Sequence, residues 1–248
     1  MIARFKKLLT LPRRYLAFLQ DWRAYRKLSD ELGDDRFVMN PGDRLPMLWE
    51  NSSSTAFDAH YVYHTAWAVR VVNRLAPARH IDISSTLFFC STLSATVPVE
   101  FYDFRPAPLT LDNLVCGRAD LSALEFPTAS ITSLSCMHVV EHIGLGRYGD
   151  PVDPQGDIKA VSELKRVLAP GGHLLFVVPV GLRSLNFNAH RTYDLAAVAE
   201  MFEGYELLSS ALVTDDARFV ENPSPELVNR QAYGCGCFLF RKPAPAEV

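Results

Sequence analysis

The chain has 248 residues, a formal net charge of −3 and an apolar content of 48%. A chain of this length can bury a substantial core, so we expect one globular domain with extensions. The charge gives no reason to expect nucleic acid as a partner across the whole surface. No apolar run approaches the roughly 20 residues that a membrane-spanning helix needs.

The cysteines are odd in number: Cys90, Cys116, Cys136, Cys235 and Cys237. Cys235 and Cys237 are two positions apart, so on a strand their side chains point the same way. A zinc-binding pair usually has two or more intervening residues, so this spacing predicts no metal site. We expect reduced thiols in a cytoplasmic protein.

The first 27 residues are strongly basic and contain a single acid, Asp21. Their apolar residues are spaced to lie near one face of a helix: Phe5, Leu8, Tyr15, Leu19 and Trp22. Thr10 and Pro12 are suited to cap and begin a second helix. Two interpretations stay open: a basic amphipathic helix lying on an anionic membrane surface, peripheral to the inner membrane, or a helix packed on the domain.

Helices and strands then alternate along the chain. We predict helices at 57–77, 86–95, 157–168 and 194–202, and strands at 80–84, 97–104, 114–116, 131–140, 172–180, 205–213 and 233–242. Such alternation indicates a doubly wound, mostly parallel α/β sheet covered on both faces. The last two strands predict an antiparallel hairpin at its edge. Residues 1–55 are predicted to form a helical extension with an irregular linker, and residues 56–248 the α/β domain.

Three segments resemble known proteins. "ELKRVLAPGGHLLFVVPVG" (163–181) resembles the signature of class I S-adenosylmethionine-dependent methyltransferases, in which a helix runs into Pro-Gly-Gly and a fifth strand. "VEHIGLGRYGDP" (140–151) and "NAHRTYD" (188–194) resemble an uncharacterised branch of that superfamily associated with bacterial surface-polysaccharide gene clusters. The resemblance extends from about Tyr63 to Phe240. It implies a Rossmann-like fold, S-adenosylmethionine as cofactor and a glycan or glycolipid-linked acceptor.

The resemblance also assigns the cofactor site. Asp82 stands at the acid of the first strand, Asp103 at the acid that receives the ribose hydroxyls, and Asp120 near the adenine amino group. A carboxylate suits ribose because it accepts two hydrogen bonds from a vicinal diol. His138, after the fourth strand, is assigned to the same site. Each acid also has a structural interpretation, since Asp82 and Asp103 can cap helices and Asp120 can form an Asx-turn.

The loop after the first strand departs from the superfamily. Ser84 and Thr86 stand where glycines normally allow the backbone to approach the cofactor. The hydroxyls of Ser84, Ser85 and Thr86 are nevertheless suited to cap a helix or to bind a ligand carboxylate. Residues 87–89 either pack beneath the sheet or fill the pocket. We expect a modified cofactor site, and a non-catalytic, methyltransferase-like binding module in a glycan-assembly complex is the alternative.

Catalysis is expected at the carboxyl ends of the strands, where four candidate catalytic residues follow the fourth and fifth strands: His142, His190, Arg191 and Tyr193. A histidine with a near-neutral pKa takes the proton of an acceptor hydroxyl as that hydroxyl attacks the methyl group. Arg191 would hold an anionic acceptor. Glu141-His142 also has a structural interpretation as a turn, so His142 and His190 are both candidate bases.

The segment 144–157 is too rich in glycine and proline to form a helix. We predict that it covers the acceptor pocket, with Arg147 and Tyr148 reaching inward. A plain surface loop is the alternative interpretation.

Overall fold

The computed structural model describes residues 2–244, and side chains from residue 9 onward. The chain divides into two units after Phe57. The first unit contains the helix α1 (Ile2–Leu32) and a 3₁₀ turn at Pro41–Asp43. The predicted second helix beginning at Pro12 is wrong, because Pro12 lies inside α1. Good helix formers on both sides continue the helix across the hydrogen bond that proline cannot donate.

One face of α1 is partly covered by the segment that follows it. Nη1 of Arg14 donates to the Leu48 carbonyl at 2.8 Å, and the guanidinium of Arg44 lies 5.2 Å from the ring centre of Trp22. In the predicted apolar face, Leu19 and Trp22 are half-buried and Tyr15 is exposed. The side chains of Phe5 and Leu8 lie outside the described residues. No helix in the described range is long and apolar enough to cross a membrane.

The second unit is built on an eight-stranded sheet of order β3-β2-β1-β4-β5-β10-β8-β9. The strands are β1 His80–Ile83, β2 Val99–Asp103, β3 Leu114–Arg118, β4 Ile131–Met137, β5 Leu168–Val180, β8 Glu206–Val213, β9 Phe219–Glu221 and β10 Gly234–Arg241. Strands β1 to β5 pair in parallel, and β10 lies antiparallel between β5 and β8. The predicted doubly wound sheet with a closing antiparallel pair is therefore confirmed.

Helices cover the sheet, and a small hairpin lies beside it. The helices are α2 Ala59–Leu75, α3 Leu87–Leu93, α4 Gly156–Val167, α5 Leu195–Met201 and α6 Pro225–Asn229. The hairpin pairs β6 (Ser184–Asn186) with β7 (His190–Thr192). It was not predicted, because strands of three residues are too short to show a recognisable alternation of apolar and polar residues.

Alternate residues of β5 enter two separate cores. Phe176 and Val178 pack on the side of α4 and α5, whereas Leu175 and Val177 pack on the side of α2 and α3. Because both faces are buried, the strand is apolar from Leu174 to Val180 instead of alternating. This is why the segment could be recognised as a central strand from its sequence.

Two residues of α4 that belong to the methyltransferase-like segment 163–181 hold a neighbouring connection in place. The Arg166 guanidinium donates to the carbonyls of Leu124 and Phe126 at 2.7 and 2.8 Å, and the Glu163 carboxylate accepts from the Leu124 N–H at 2.8 Å. These charge-assisted bonds fix the connection between β3 and β4.

His64, in α2, should make the protein sensitive to acid. Its ring is fully buried, and burial lowers its pKa to about 3. The unfolded chain therefore takes up a proton below pH 6.5 that the folded chain does not, and stability falls by about 1.4 kcal/mol per pH unit as pH decreases.

We expect His64→Phe to remove this dependence. Between pH 7 and 4.5 the wild type should lose roughly 2–3 kcal/mol more than the variant, as measured by urea unfolding at both pH values. Comparing the two proteins at each pH cancels the titration of groups away from His64. Parallel losses in both proteins would show that His64 does not carry this effect.

Candidate functional site

Two adjoining cavities lie at the carboxyl edge of the parallel strands. The large cavity has a volume of about 860 Å³ and the small cavity about 360 Å³. The large cavity is lined by the start of α2, the loop after β1, the turn after β4, the β6–β7 connection and Tyr233. The ends of β2 and β3 and the segment 143–153 line the small cavity. Ser84, His138, His142 and Tyr148 belong to both walls, so the two cavities adjoin along these residues.

Asp103 and Asp120 both line the small cavity. Oδ1 of Asp103 accepts from the Arg105 N–H at 2.7 Å, and Oδ1 of Asp120 accepts from the Ser122 N–H at 2.8 Å. Each carboxylate thus uses one oxygen to close its own turn, as the structural interpretation predicted for Asp120, whereas Asp103 caps no helix. The second oxygen of each side chain is left for a ligand.

Asp82 lies outside both cavities. Its side chain is 0% exposed, accepts from the Ser85 N–H at 3.2 Å and accepts a short hydrogen bond from the Ser135 hydroxyl. Burial raises the pKa of this carboxyl to about 7. Asp82 therefore supports the loop from beneath by accepting these two hydrogen bonds, and its cofactor role stays a prediction.

The loop after β1 accommodates serine in a conformation that favours glycine. Ser84 has φ +57°, and its hydroxyl donates to the Tyr102 carbonyl at 3.2 Å. The Ser85 hydroxyl accepts from the Met137 N–H at 3.1 Å, and the Thr86 hydroxyl caps α3 at Phe89. Ser84 thus donates its proton within the protein and Thr86 caps α3, which is one of the two roles expected for these hydroxyls, whereas binding of a ligand carboxylate stays a prediction.

The apolar residues after this loop do not fill the cavities. Phe89 is fully buried against α2, whereas Phe88 is 80% exposed and lines neither cavity. Of the two alternatives for residues 87–89, the structure supports packing beneath the sheet for Phe89 alone. The space at the end of β1 stays open.

His138 is held in an uncommon backbone conformation at the junction of the cavities, with φ +57°. Its Nδ1 lies 2.8 Å from Oε1 of Glu141, and its Nε2 is buried without a hydrogen-bond partner in the described part of the chain. Burial lowers the pKa of the ring to about 4. The carboxylate therefore fixes the proton on Nδ1 and leaves the Nε2 lone pair free.

Glu141 and His142 follow in a 3₁₀ turn. Glu141 is fully buried, and burial raises its pKa to about 7. Nδ1 of His142 lies 2.6 Å from the Ala189 carbonyl, so Nδ1 carries the proton and Nε2 presents its lone pair. Nε2 lies 3.7 Å from Oε1 of Glu141. Burial lowers the pKa of the ring, and Glu141 partly offsets this shift.

Arg147 and Tyr148, from the segment 144–157, lie on the wall of the large cavity, and the segment's cover over an acceptor pocket stays a prediction. Arg147 donates to the Ala189 carbonyl at 3.1 Å. The guanidinium groups of Arg105 and Arg147 lie 4.7 and 5.0 Å from the ring centre of Tyr148, which is within range of cation–π contact. The wall of the cavity thus presents positive charge beside an aromatic ring.

The four predicted catalytic residues do not all line the same cavity. His142 and His190 line the large cavity, whereas Arg191 and Tyr193 line a separate cavity of about 590 Å³. Arg191 donates to the Ile143 carbonyl at 2.7 Å, and Tyr193 donates to Asp157 at 2.9 Å. The expectation that Arg191 holds an acceptor is not supported, because alternate residues of β7 point to opposite sides.

Several residues on the wall of the large cavity escaped sequence reasoning: Asp58, His60, Tyr61 and Tyr233. They come from the start of α2 and from the segment before β10, which lie far from the recognised motifs. The aromatic and histidine residues of "FDAHYVYH" (57–64) are the feature of the sequence that indicates a site here. The prediction of this helix rests on its apolar spacing alone.

Two family models match the chain. A methyltransferase domain matches residues 73–176, from the end of α2 to β5. A family described as a Caenorhabditis protein of unknown function, DUF268, matches residues 127–230 and so includes both narrower resemblance segments. That description carries no link to surface polysaccharides. No match is found among the curated proteins.

Solved structures share the fold at low sequence identity. The YcgJ protein of Bacillus subtilis is 12% identical, with a TM-score of 0.51 over 74% of this chain and 100% of its own. A candidate sarcosine dimethylglycine methyltransferase of Galdieria sulphuraria is 13% identical, with a TM-score of 0.52 over 74% and 86% of the two chains. A Haloferax volcanii complex of the Trm112 methyltransferase activator with its candidate methyltransferase matches at 16% identity, with a TM-score of 0.50 over 77% and 92%. The chain therefore has the fold of the class I methyltransferases, and its residues 73–176 match a methyltransferase domain.

Proposed function

We propose that this protein is an S-adenosylmethionine-dependent methyltransferase that modifies a hydroxyl of a glycan or glycolipid-linked acceptor. The observation that carries the proposal is the pair of adjoining cavities at the carboxyl edge of the sheet, with Asp103 and Asp120 on the small one. The match to a methyltransferase domain over residues 73–176 supports the same reaction class.

The small cavity fits the adenosine part of the cofactor. Asp103 ends β2 and has one carboxylate oxygen left for ribose hydroxyls, and Asp120 follows β3 and has one left for an amino group. Ala119 and Leu121 add an apolar surface on which a planar base can lie. When bound, S-adenosylmethionine would supply an electrophilic methyl group. The cavity junction at His138 and His142 is the place for that group, because it joins the adenosine side to the large cavity.

The large cavity fits the acceptor. Tyr61, Tyr148 and Tyr233 present aromatic surface, against which the apolar face of a sugar ring can pack. Arg147 offers forked donors for a phosphate or carboxylate on the acceptor. The glycan class also rests on the resemblance of residues 140–151 and 188–194 described above.

His142 is the better of the two candidate bases. Its Nδ1 proton is directed to the Ala189 carbonyl, so the ring is oriented and Nε2 is the basic nitrogen. His190 is half-exposed, and its Nε2 lies 3.2 Å from the amide nitrogen of Asn186. We assign His142 to accept the acceptor's hydroxyl proton at Nε2 and His190 to orient the acceptor.

Calorimetric titration of the full chain with S-adenosylmethionine tests this proposal. We expect saturable binding of one molecule per chain, competed by S-adenosylhomocysteine. Ser84 occupies the position of a glycine and keeps its Cβ beside the methionine end, so we expect modest affinity. No binding of either compound would support the non-catalytic, methyltransferase-like module instead.

For the first unit, we propose a peripheral contact with an anionic membrane surface through α1. Arg13 and Arg23 are exposed on this helix, as are the apolar side chains of Leu9, Leu16 and Leu28. Basic side chains on an exposed helix are attracted to the negative potential of an anionic membrane surface. An acceptor linked to a membrane lipid would then be brought close to the protein.

Replacing both Arg13 and Arg23 by Gln should weaken binding to vesicles that contain anionic lipid. Each basic residue near such a surface contributes about 1 kcal/mol, so the double variant should bind about 30-fold more weakly in a sedimentation assay. The matched control replaces Arg70 and Arg74, which are exposed on α2, by Gln. Equal binding by the two double variants, or binding of wild type that salt does not weaken, would contradict a role for α1.

A further inference from the structure

Beside the large cavity, the start of α2, the turn after β4 and β10 bring together three side chains with metal-binding atoms. A ring nitrogen of His60, a ring nitrogen of His138 and Sγ of Cys235 all lie within 4.8 Å of one another. We propose that these three residues bind a divalent transition-metal ion, for which Zn²⁺ is the best match. The proposal is independent of the proposed function, because it concerns these side chains whether or not a cofactor binds beside them.

His138 is presented as a metal ligand should be. The Glu141 carboxylate holds Nδ1 at 2.8 Å, which fixes the tautomer and directs the ring. This carboxylate–histidine pair is the usual support of a metal-bound imidazole. The remaining nitrogen, Nε2, is buried without a hydrogen-bond partner among the described residues. Because a buried polar atom without a partner is costly, a bound cation would remove this cost.

His60 is the second ligand. Its ring is half-buried and stacks on His138, with the ring centres 5.5 Å apart. Both rings line the large cavity.

Cys235 is the third ligand. Its thiol is fully buried, and Sγ lies 3.9 Å from Sγ of Cys237, which points to the same side of β10 as predicted. Burial raises the pKa of the Cys235 thiol well above its usual value. A metal ion would supply the positive charge that this thiol needs to become a thiolate.

The donor set and its geometry favour zinc. Two imidazole nitrogens and one thiolate suit a borderline-soft cation, and three protein ligands with an open fourth position are typical of exchangeable zinc sites. Zinc bond lengths of about 2.0–2.3 Å place tetrahedral donors about 3.3–3.6 Å apart. A pair of donors at the full 4.8 Å would therefore have to close by about 1 Å. The fourth position would face the large cavity, since His60 and His138 line it.

This site differs from the expectation that the protein holds no metal. That expectation rests only on the short spacing of Cys235 and Cys237. The three ligands come instead from the first turn of α2, the end of β4 and the second residue of β10. No local motif links them, and only the fold brings them together.

Cobalt substitution tests the site. The full chain, freed of metal with a chelator, is titrated with Co²⁺ and followed by absorption, and Zn²⁺ affinity is then measured by competition. We expect one Co²⁺ per chain with a thiolate-to-cobalt charge-transfer band in the near ultraviolet. Cys235→Ser should abolish the band and weaken Zn²⁺ binding by about 100-fold or more. Cys237→Ser is the matched control and should keep both.

Two further variants keep the test decisive if Cys235→Ser folds poorly. His60→Asn, on the half-buried first turn of α2, should weaken Zn²⁺ binding as strongly as Cys235→Ser. Glu141→Gln should weaken it about 10–100-fold through the support of His138. The proposal is overturned if wild type gives no thiolate band, or if the Cys235→Ser and Cys237→Ser variants bind alike. S-adenosylmethionine titrations with and without Zn²⁺ separate this outcome from a failure of the proposed function.

Discussion

Asp103→Ala should weaken S-adenosylmethionine binding about tenfold or more. The carboxylate ends β2 on the wall of the small cavity, where its second oxygen would accept hydrogen bonds from the ribose. Hydrogen bonds to a charged group contribute about 1.5–3 kcal/mol each, and 1.4 kcal/mol corresponds to a tenfold change in affinity. Calorimetric titration of wild type and variant measures the difference.

Two controls sharpen this test. Asp112→Ala removes an exposed carboxylate in the connection between β2 and β3 and should leave affinity unchanged. Asp103→Asn keeps an oxygen to cap the Arg105 N–H and removes only the charge, so it should fall between wild type and Asp103→Ala. If Asp103→Ala binds the cofactor as wild type does, the ribose is not held at β2.

His142→Asn should slow methyl transfer by about 10²–10⁴-fold, which is the usual contribution of a general base. The asparagine Nδ2 takes the place of histidine Nδ1 and can still donate to the Ala189 carbonyl. The substitution therefore removes Nε2 and preserves the turn. Transfer of label from methyl-labelled S-adenosylmethionine into a glycolipid extract, under single-turnover conditions, measures the rate.

His190→Asn is the matched comparison for this rate. Its ring is half-exposed and lies near Tyr233, with 4.5 Å between the ring centres, so we expect weaker acceptor binding with a smaller loss of maximal rate. Cofactor affinity should stay within about threefold of wild type in both variants. If His190→Asn proves the slower enzyme at saturating acceptor, the base assignment must be exchanged.

The sheet was predictable because its strands satisfy strong and local constraints. β5 is apolar from Leu174 to Val180 since both of its faces are buried there, and the helices around the sheet follow capping residues such as Asp58 and Asp194. The β6–β7 hairpin and β9 were missed for the opposite reason. These strands have three residues each, of which only Thr192 is buried, and they form only because a neighbouring strand pairs with them.

The candidate site was predictable only where a residue follows directly from a strand end. Asp103 and His138 belong to this class, because parallel strands end at one edge of the sheet. Arg191 and Tyr193 were misplaced, since the side to which β7 turns its residues depends on its pairing with β6. Ser84 adopts the positive φ that its Cβ disfavours. Its hydroxyl donates to the Tyr102 carbonyl, and this contact depends on the pairing of β1 with β2.

The central claim is that adenosine binds in the small cavity between β2 and β3. A crystal structure of the full chain with S-adenosylhomocysteine tests this claim most directly. We predict that the ribose hydroxyls lie within hydrogen-bond distance of Asp103 and the adenine amino group beside Asp120, with the thioether sulfur at the junction of the two cavities near His138. A ligand bound in the separate cavity lined by Arg191 and Tyr193, or a small cavity left empty at saturating ligand, would contradict it.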